Sequence, residues 1–367
     1  MFHIPIVSPV VRNVLRAVSI LFYLLMMLSA YGGRINPEYM ATPSVLTLAL
    51  PYFTVITGII ILYWLLCRRF IFAGIGVLAI VACAGPVGEA FPLSFPKKAA
   101  EGAATFRLMS YNILHTDDMR QPDYPGNRAL EYILHSGVDI VAMAELYNFS
   151  PDEFRNATPQ LIDSVAKAYP YRAGLNSTDI KIMSKYPVDR MGISGAEGRV
   201  SYDFFKVHFP GGRRVVVAMV HLPSFNLSEK ERQVVSEMRT VGGAKESMRE
   251  LKGSIFQKLR TSFRDRARVA SRLREAIDTV KGNLIVCGDF NDVPASWSYS
   301  LLKGDDMRDA YTETNFGPTF TYNAHLFYFH IDQVLYRGDL KALSVKRGKI
   351  NTSDHYPLIT EFEFTEN

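Results

Sequence analysis

The chain has 367 residues, which is ample for two domains, and a domain of roughly 250 residues buries enough apolar surface to fold without disulfides. Its three cysteines, Cys67, Cys83 and Cys287, lack the spacing of a disulfide framework or a zinc site, so both are excluded and the redox compartment stays open. The formal net charge of +5 permits an anionic substrate but does not by itself argue for nucleic acid.

Three uncharged, mostly apolar windows lie near the N-terminus, at residues 17–33, 39–67 and 70–88. A transmembrane helix needs about 20 apolar residues, with a range of about 17–25, so each window can hold one span. The helix of the second window is expected to begin after Pro51. The sequence therefore predicts an anchor over residues 1–98, with about three transmembrane helices in the lipid bilayer of the cell membrane.

Two other interpretations of these windows stay open. The first window can be a cleaved signal peptide with Ala30 before the cut, which would leave the other two as spans. A buried helix pair in a soluble core is the second alternative. Three such stretches, separated by short charged links, are however hard to place in a soluble core.

Basic residues near the predicted spans indicate the orientation of a multi-pass protein. With three spans, they divide four against three: Arg12, Arg16, Arg68 and Arg69 on one side, and Arg34, Lys97 and Lys98 on the other. The two lysines count for less, because they open a long domain that translocates largely regardless of charge. We therefore expect a cytoplasmic N-terminus and an extracytoplasmic, periplasmic C-terminal domain.

From about Phe106 the pattern becomes that of a soluble α/β protein. The link Pro210-Gly211-Gly212 separates two β-rich runs, as a hairpin link does. Short apolar runs predict buried strands at Phe106–Tyr111, Val138–Ala144, Val215–Val220, Leu284–Cys287 and Ile331–Leu335.

The segment Ser228–Lys281 is charged and carries an apolar stripe at helical spacing, which predicts an amphipathic helix. Two interpretations of its opposite face stay open, a solvated helix face or a surface for phosphates. That face carries Arg260, Arg264, Arg268, Arg272 and Arg274.

Two local motifs point to chemistry. In GDFND, residues 288–292, Asp289 and Asn291 alternate directly after an apolar run, so both can point to one side of an extended backbone. A carboxylate and an amide placed there can orient an attacking water and hold a phosphoryl oxygen, although a plain Asx-rich turn stays possible.

In SDHYP, residues 353–357, Asp354 and His355 are adjacent, and an imidazole is the group most often used for proton transfer near neutral pH.

Single polar residues lie at or near the ends of other apolar runs: Asn112, Glu145, His221 and Asp332. Each alone is more often structural, but together they predict one site to which several strands each contribute one residue. Oxygen ligands with two imidazoles and no thiolate suit a hard cation such as Mg²⁺ or Mn²⁺. The predicted reaction is metal-assisted attack of water on phosphorus.

The ordered motifs resemble those of the endonuclease/exonuclease/phosphatase (DNase I-like) superfamily, and the whole chain resembles membrane-anchored bacterial members. The resemblance covers about residue 104 to the end. It implies a catalytic domain over residues 99–367, folded as a four-layer α/β sandwich of two mixed β-sheets flanked by helices. The motifs are SYN at 110–112, AEL at 144–146, VHL at 220–222, GDFND at 288–292, HID at 330–332 and SDHYP at 353–357.

The resemblance also implies roles for the residues that match. Glu145 resembles the metal-binding glutamate, with Asn112 beside it, and Asp354 would lie at the rim of the metal site. Asp289 would orient or deprotonate the water, and Asn291 would hold the scissile phosphate.

The same resemblance implies that Asp332 pairs with His355, which fixes its tautomer and favours the imidazolium. His221 would contact the phosphate or protonate the leaving group. The sequence departs from many members at Ala144, His330 and Gln333. These departures leave the carboxylates in place, so they bear on substrate contacts more than on chemistry.

The sequence thus predicts a divalent-metal-dependent phosphodiesterase or phosphatase. A nuclease acting on DNA or RNA and a catalytically inactive membrane-anchored binding protein are the alternatives. A small or lipid-linked phosphoester is favoured over nucleic acid, because no basic run interleaved with aromatics accompanies the motifs. The sequence does not predict an oligomeric state.

Overall fold

The computed structural model describes residues 8–197, 200–225, 231, 247–324 and 327–365. The helices in these residues are α1 (Pro9–Gly32), α2 (Thr42–Thr47), α3 (Leu50–Leu66), α4 (Phe70–Ala82), α5 (Ala84–Ala90), α6 (Arg128–Ser136), α7 (Pro159–Ala168), α8 (Ser247–Thr279), α9 (Trp297–Lys303) and α10 (Ala310–Thr314). The strands are β1 (Thr105–Asn112), β2 (Ile140–Ala144), β3 (Tyr171–Ala173), β4 (Lys181–Ser184), β5 (Val188–Glu197), β6 (Val200–His208), β7 (Arg214–His221), β8 (Leu284–Asp289), β9 (Arg308–Asp309), β10 (Tyr322–Ala324), β11 (Phe327–Phe329), β12 (Asp332–Arg337), β13 (Leu340–Arg347) and β14 (Leu358–Phe364).

The strands form two mixed six-stranded sheets and a short two-stranded one. The first sheet has the order β13-β14-β1-β2-β4-β3, and the second has the order β5-β6-β7-β8-β12-β9. Each contains one parallel pair, β1 with β2 and β7 with β8, among antiparallel neighbours. The hairpin predicted at 210–212 is confirmed, because a turn there joins the antiparallel strands β6 and β7.

The two large sheets pack face to face with helices on both outer sides. Alternate residues of the central strands, such as Leu108 and Ile285, fill the space between the sheets. On the outer side of the first sheet, α6 and α7 bury Leu130 and Val165. On the outer side of the second, α8 buries Leu273. The structure therefore has the predicted four layers, helix–sheet–sheet–helix. Successive side chains of a strand point to opposite faces of its sheet, so each sheet packs on the other sheet with one face and on helices with the other.

The N-terminal segment differs from the prediction of three transmembrane helices. Among the described residues, only α1 is by itself long and apolar enough to cross a membrane. Helix α3 has 17 residues, at the lower limit for a span. The third window is divided into α4 and α5, which meet at an angle of 76°.

The break between α4 and α5 has a local cause at Pro86. A proline has no backbone N–H, and its ring clashes with the carbonyl four residues earlier, here that of Ala82. The Tyr31 hydroxyl donates a hydrogen bond to that carbonyl instead. The third window, residues 70–88, is uncharged and long enough for a span. The criterion of length and charge takes no account of Pro86, which interrupts the helix.

The predicted helix Ser228–Lys281 corresponds to α8, which begins at Ser247. Residues 226–230 and 232–246 lie outside the described residues. Its apolar stripe packs on the second sheet, as predicted. On the opposite face, Arg268 is half-exposed and lies near Asp265, and Arg274 contacts Asp278 and Asp306, so acidic residues partly neutralise the basic face.

Candidate active site

Five of the predicted site residues lie at one edge of the two sheets. Asn112 ends β1, Glu145 follows β2, His221 ends β7 and Asp289 ends β8. These strands form parallel pairs, so their carboxyl ends meet at the same edge. Asp332 begins the antiparallel strand β12 and therefore reaches the same edge from the other direction. The strand register places His221 beside Asp289, and Asp289 beside Asp332.

Contacts between the two sheets bring the carboxylates together. The Asn112 amide Nδ2 lies 2.9 Å from Glu145 Oε1 and 3.3 Å from Asp289 Oδ2. Asn112 and Asp289 are almost fully buried. One amide thus bridges two carboxylates that would otherwise repel each other in a medium of low dielectric constant.

His355 forms one Asp–His pair at this edge. Its Nδ1 lies 2.9 Å from Asp332 Oδ2, and its Nε2 lies 3.5 Å from Asp289 Oδ2. The Thr321 hydroxyl accepts the backbone N–H of Asp332 at 3.0 Å, and the Thr321 carbonyl accepts that of Tyr356 at 2.7 Å. The carboxylate and the imidazole are therefore fixed through a common residue.

A second Asp–His pair contains a residue that sequence reasoning missed. His221 Nδ1 lies 2.6 Å from Asp179 Oδ2, and its Nε2 lies 3.7 Å from Glu145 Oε1 and 3.9 Å from Asp289 Oδ2. Asp179 precedes β4, which runs antiparallel to β2, so the start of β4 meets the edge at which β2 ends. The available signal was a polar residue before, rather than after, the strand Lys181–Ser184. That signal is weak because Lys181 interrupts the apolar residues there.

These charges control protonation in the site. Burial alone would lower the pKa of His221, but the hydrogen bond to Asp179 and the charges of Asp289 and Glu145 raise it to about 9. Burial also disfavours charge on His355, yet Asp332 and Asp289 raise its pKa well above the usual value. Burial raises the pKa of Asp289 to about 6, against the opposing charge of His355. Both imidazoles are therefore held as cations around a carboxyl that titrates near neutrality.

Asn291 is held tightly beside Asp289. Its Nδ2 lies 2.9 Å from the Leu222 carbonyl and 3.1 Å from Asp289 Oδ2, and its backbone N–H donates to Asp289 Oδ1 at 2.8 Å. Asn291 and Glu145 both have left-handed backbone, with φ of 50° and 57°. Such conformations carry strain for residues other than glycine and persist where the surroundings enforce them, which is common at functional sites.

Arg266, a fully buried residue of α8, joins the two loops that follow β7 and β8. Its Nε and Nη2 donate to the Pro223 carbonyl at 3.1 Å and 3.0 Å, and its Nη1 lies 3.3 Å from Asp292 Oδ2. The guanidinium also lies over the rings of Phe225 and Phe263. The loops that carry His221 and Asn291 thus share one buried cation.

His115, which belongs to none of the sequence motifs, lies beside Glu145. It belongs to a run of three left-handed residues, from Leu114 to Thr116, directly after β1. Its Nε2 lies 3.9 Å from Glu145 Oε2, its Nδ1 lies 3.6 Å from Glu153 Oε1, and its ring stacks on Tyr147. No motif marked it, because the backbone turn that brings it to the site has no simple sequence pattern.

Asp354 differs from the other predicted residues in its contacts. Its Oδ1 accepts a hydrogen bond from the Ser353 hydroxyl at 3.4 Å. Its charge contributes to the raised pKa of His355. Among the contacts of the described residues, none joins the Asp354 carboxylate to Asn112 or Glu145, so its predicted place at the metal rim stays a prediction.

Two groups of side chains are candidates for a metal ion. The ligand atoms of Asp289, Asp332 and His355 lie within 4.8 Å of one another. His355 is held as an imidazolium, however, and both of its nitrogens then donate and cannot coordinate a cation. The group of Asn112, Glu145 and Asp289 fits a hard cation better, because it offers oxygen ligands and excess negative charge. To coordinate the cation, the side-chain amide of Asn112 would rotate by half a turn, so that its oxygen takes the place of its nitrogen.

The fold and this constellation define an α/β sandwich protein with an acidic, histidine-rich site at one sheet edge. A family model described as "Endonuclease/Exonuclease/phosphatase family" matches residues 109–355, more than half of the chain. The chain belongs to that family. A second model, described as a domain of unknown function, matches residues 12–89. No curated protein matches this sequence.

Several solved structures are similar to the chain at low identity. An endonuclease/exonuclease/phosphatase from Beutenbergia cavernae DSM 12333 is 18% identical, with a TM-score of 0.47, 71% of this chain covered and 72% of that one. The human Nocturnin catalytic domain with bound sulfate is 17% identical, with a TM-score of 0.45 and coverages of 71% and 95%. ANGEL2, a 2′,3′-cyclic phosphatase in complex with adenosine-2′,3′-vanadate, is 16% identical, with a TM-score of 0.45 and coverages of 73% and 98%.

Proposed function

We propose that the protein is a divalent-metal-dependent hydrolase of phosphoester bonds. One observation carries this proposal: two buried Asp–His pairs converge on Asp289, next to the Asn112–Glu145 contact. Family membership supports the same class of reaction. The inactive-scaffold alternative is not favoured, since Glu145, Asp289, Asn291, Asp332 and His355 are all present.

Asp289 is the group best placed to act on water. Its carboxyl is buried, and a pKa of about 6 makes it a base matched to neutral pH. Asn291 and Asn112 fix the carboxylate by hydrogen bonds, so the direction of proton removal is set before substrate binds. We assign to Asp289 the orientation and deprotonation of the attacking water.

The two imidazolium groups are suited to the phosphate and the leaving group. The Nε2 atoms of His355 and His221 both lie within 4 Å of Asp289 Oδ2, at 3.5 Å and 3.9 Å, while their Nδ1 atoms are held by Asp332 and Asp179. An N–H fixed in this way stabilises charge on a phosphoryl oxygen at no reorganisation cost and can protonate a departing oxygen. Asn291 would hold the scissile phosphate with its amide.

Glu145 and Asn112 would hold the cation, Mg²⁺ or Mn²⁺, with Asp354 proposed at the rim of the metal site and Asp289 beside it as the base. When bound there, the ion supplies Lewis-acid polarisation of the phosphoryl oxygen and lowers the pKa of water. The excess of carboxylates over imidazolium groups in the site gives it the negative charge that a hard cation needs.

We further propose that the N-terminal segment anchors the protein in a membrane as a multi-pass unit, with the catalytic domain outside the cytoplasm. Large apolar side chains of α1, α3 and α4 are exposed, which is unusual for a surface in water. Examples are Leu24, Leu28, Ile59, Leu62, Phe70, Ile71, Leu78 and Val81.

A small or lipid-linked phosphoester is the substrate class that we favour. The end of α1 contacts Ala295, and Asn291 lies only four residues before it. Four extended residues span at most about 14 Å, so the site lies close to the end of the proposed span and to the lipid head groups. Nucleic acid would need a basic surface, and acidic partners interrupt the one on α8.

The test is a panel of phosphoesters with the full chain in detergent. We expect hydrolysis of a generic phosphodiester and of phospholipid head-group or sugar-phosphate esters with Mg²⁺ or Mn²⁺, and none in EDTA. Glu145→Gln should weaken the metal titration, because it removes one charge from the ligand set. Glu131→Gln, which contacts Tyr124 away from the site, is the matched control.

Three results would contradict these proposals. Full activity in EDTA would remove the metal mechanism. A preference for plasmid DNA of about tenfold or more at fixed salt, lost in the double variant Arg264→Glu and Arg268→Glu, would make α8 a nucleic-acid surface. Turnover of no ester would favour the binding-protein alternative.

A further inference from the structure

The end of α1 lies directly against a loop of the active site. Gly33, which follows α1, is buried. A Cβ atom built on it would lie 1.9 Å from the Ala295 carbonyl oxygen and 3.0 Å from the Ser296 Cα. Real Cβ atoms do not approach backbone this closely, so only glycine fits without moving the loop. Ala295 also joins the apolar cluster of the N-terminal segment, with Met26 and Ala30.

Residues 290–296 form the loop that connects β8, which ends at Asp289, to α9. It begins beside Asp289, carries Asn291, and ends at Ser296, whose hydroxyl caps α9 by accepting the Tyr299 N–H at 3.3 Å. Both Asn291 and Ala295 have left-handed backbone, with φ of 50° and 68°. Only three residues separate them. The short connection cannot absorb much movement, so a shift of the backbone at Ala295 also displaces Asn291.

The end of α1 is itself held in place and cannot simply retreat. The Tyr23 hydroxyl donates to the Phe72 carbonyl at 3.1 Å, which fastens α1 to α4. Further along the segment, Glu89 pairs with Lys303 at the end of α9 at 2.6 Å. The loop therefore lies between α1 and α9. Helix α1 belongs to the N-terminal segment, and α9 contacts that segment through Lys303 and Glu89.

We propose that Gly33 is a positioning residue for the hydrolysis, acting through the backbone of Ala295 on Asn291. The N-terminal segment then completes the active site instead of serving only as an anchor. This inference rests on the proposed function of Asn291 as the holder of the scissile phosphate. It also means that the catalytic domain, residues 99–367, lacks one support of its own site.

The experiment compares alanine variants of three glycines in the full chain in detergent. Gly33→Ala forces the loop to move by roughly 1 Å, and a misplacement of that size can cost about 10²-fold in rate. Gly32→Ala is the first control, because its Cβ would meet the Pro43 carbonyl oxygen at 2.6 Å, inside the N-terminal segment. Gly58→Ala is the second, since its Cβ would meet open space.

The readouts are kcat and KM on a soluble phosphodiester, thermal unfolding, and hydrogen exchange of peptides that cover residues 290–296. We expect Gly33→Ala to lower kcat by about 10–10²-fold with little change in KM, because the interaction with Asn291 counts most in the transition state. Amide exchange in the loop should rise in that variant. The two controls should keep kcat and the loop exchange of the wild type.

Three outcomes bear on this inference, and they distinguish its failure from failure of the proposed function. An inactive wild type would contradict the proposed function, and the loop exchange would still test the contact of Gly33 with Ala295. An active wild type with unchanged kcat and loop exchange in Gly33→Ala would overturn the inference alone. An equal loss of kcat in Gly32→Ala would also overturn it, because the effect would then be general damage to the segment.

Discussion

At the scale of single residues, each site histidine has a carboxylate of its own. Asp332 contacts His355 and Asp179 contacts His221, and both carboxylates approach Nδ1. Each carboxylate therefore sets the tautomer and the charge of its ring, while Nε2 is left to face the substrate. The raised pKa of His355 is a direct consequence that can be measured.

The variant Asp332→Asn should change the pH dependence of the reaction. The amide preserves shape but removes the main charge that raises the pKa of His355, so this pKa should fall. The alkaline limb of the kcat/KM profile should move to lower pH, with a rate loss of about 10²–10⁴. The pair also stabilises the fold most below the ordinary histidine pKa, and that contribution declines as pH rises through the raised value.

Asp189→Asn is the matched control for this prediction. Asp189 contacts His208 at 2.8 Å, but its side chain is 76% exposed and lies outside the site. It should leave the profile unchanged. An alkaline limb that stays in place in Asp332→Asn would remove Asp332 as the residue that controls His355.

The sequence could predict which side chains lie together where the position in a strand determines the position at the sheet edge. Asn112, Glu145, His221 and Asp289 follow apolar runs, and parallel pairing brings such ends together. Asp179 was missed because its strand runs the opposite way. His115 was missed because its position depends on a strained turn that apolar runs do not report.

At the scale of elements, α8 is more than a cover for the second sheet. Its apolar side includes Arg266, whose guanidinium is buried among the rings of Phe225 and Phe263. Burial lowers the pKa of Arg266, and the charge of Asp292 opposes this effect. The sequence pattern assigned Arg260, Arg264, Arg268, Arg272 and Arg274 to the outer face and made no assignment for Arg266.

Arg266→Met should destabilise the protein by about 3–5 kcal/mol, because it leaves the buried Asp292 without its counter-charge. Adding Asp292→Asn should recover part of the loss, since a neutral amide is cheaper to bury than a lone carboxylate. Urea denaturation of the detergent-solubilised chain measures both. Arg268→Met, on the exposed face of the same helix, should change stability by no more than about 0.5 kcal/mol. Equal effects of Arg266→Met and Arg268→Met would refute the role of the buried pair.

At the scale of the whole molecule, the N-terminal segment and the catalytic domain share contacts along residues 89–97. The Gly317 N–H donates to the Pro92 carbonyl at 2.7 Å, the Ser94 N–H donates to the Asn315 carbonyl at 3.0 Å, and Lys97 pairs with Glu313 at 3.0 Å. Hydropathy predicts two units, the apolar N-terminal segment and the α/β domain. Contacts between them, such as Gly33 with Ala295, join residues far apart in sequence and have no pattern that a single sequence displays.

Reporter fusions should resolve the path of the segment through the membrane. If α3 and the bent pair α4–α5 cross as well as α1, as the multi-pass proposal requires, a reporter after Arg69 lies in the cytoplasm and one after Asn367 lies outside it. We expect a fluorescent protein to report at the first position and alkaline phosphatase at the second. If α1 alone crosses, both positions lie on the same side and one reporter works at both.

The alignment of His221, Asp289 and Asp332 across three neighbouring strands has a consequence for how such a protein can evolve. Side chains alternate along a strand, so inserting one residue within β8 would turn Asp289 away from its neighbours and abolish the chemistry at once. Changes of length in the connections beyond the strand ends leave that row untouched. Descendants can therefore lengthen and remodel the rim, and so exchange one ester for another, while they inherit the reaction itself intact.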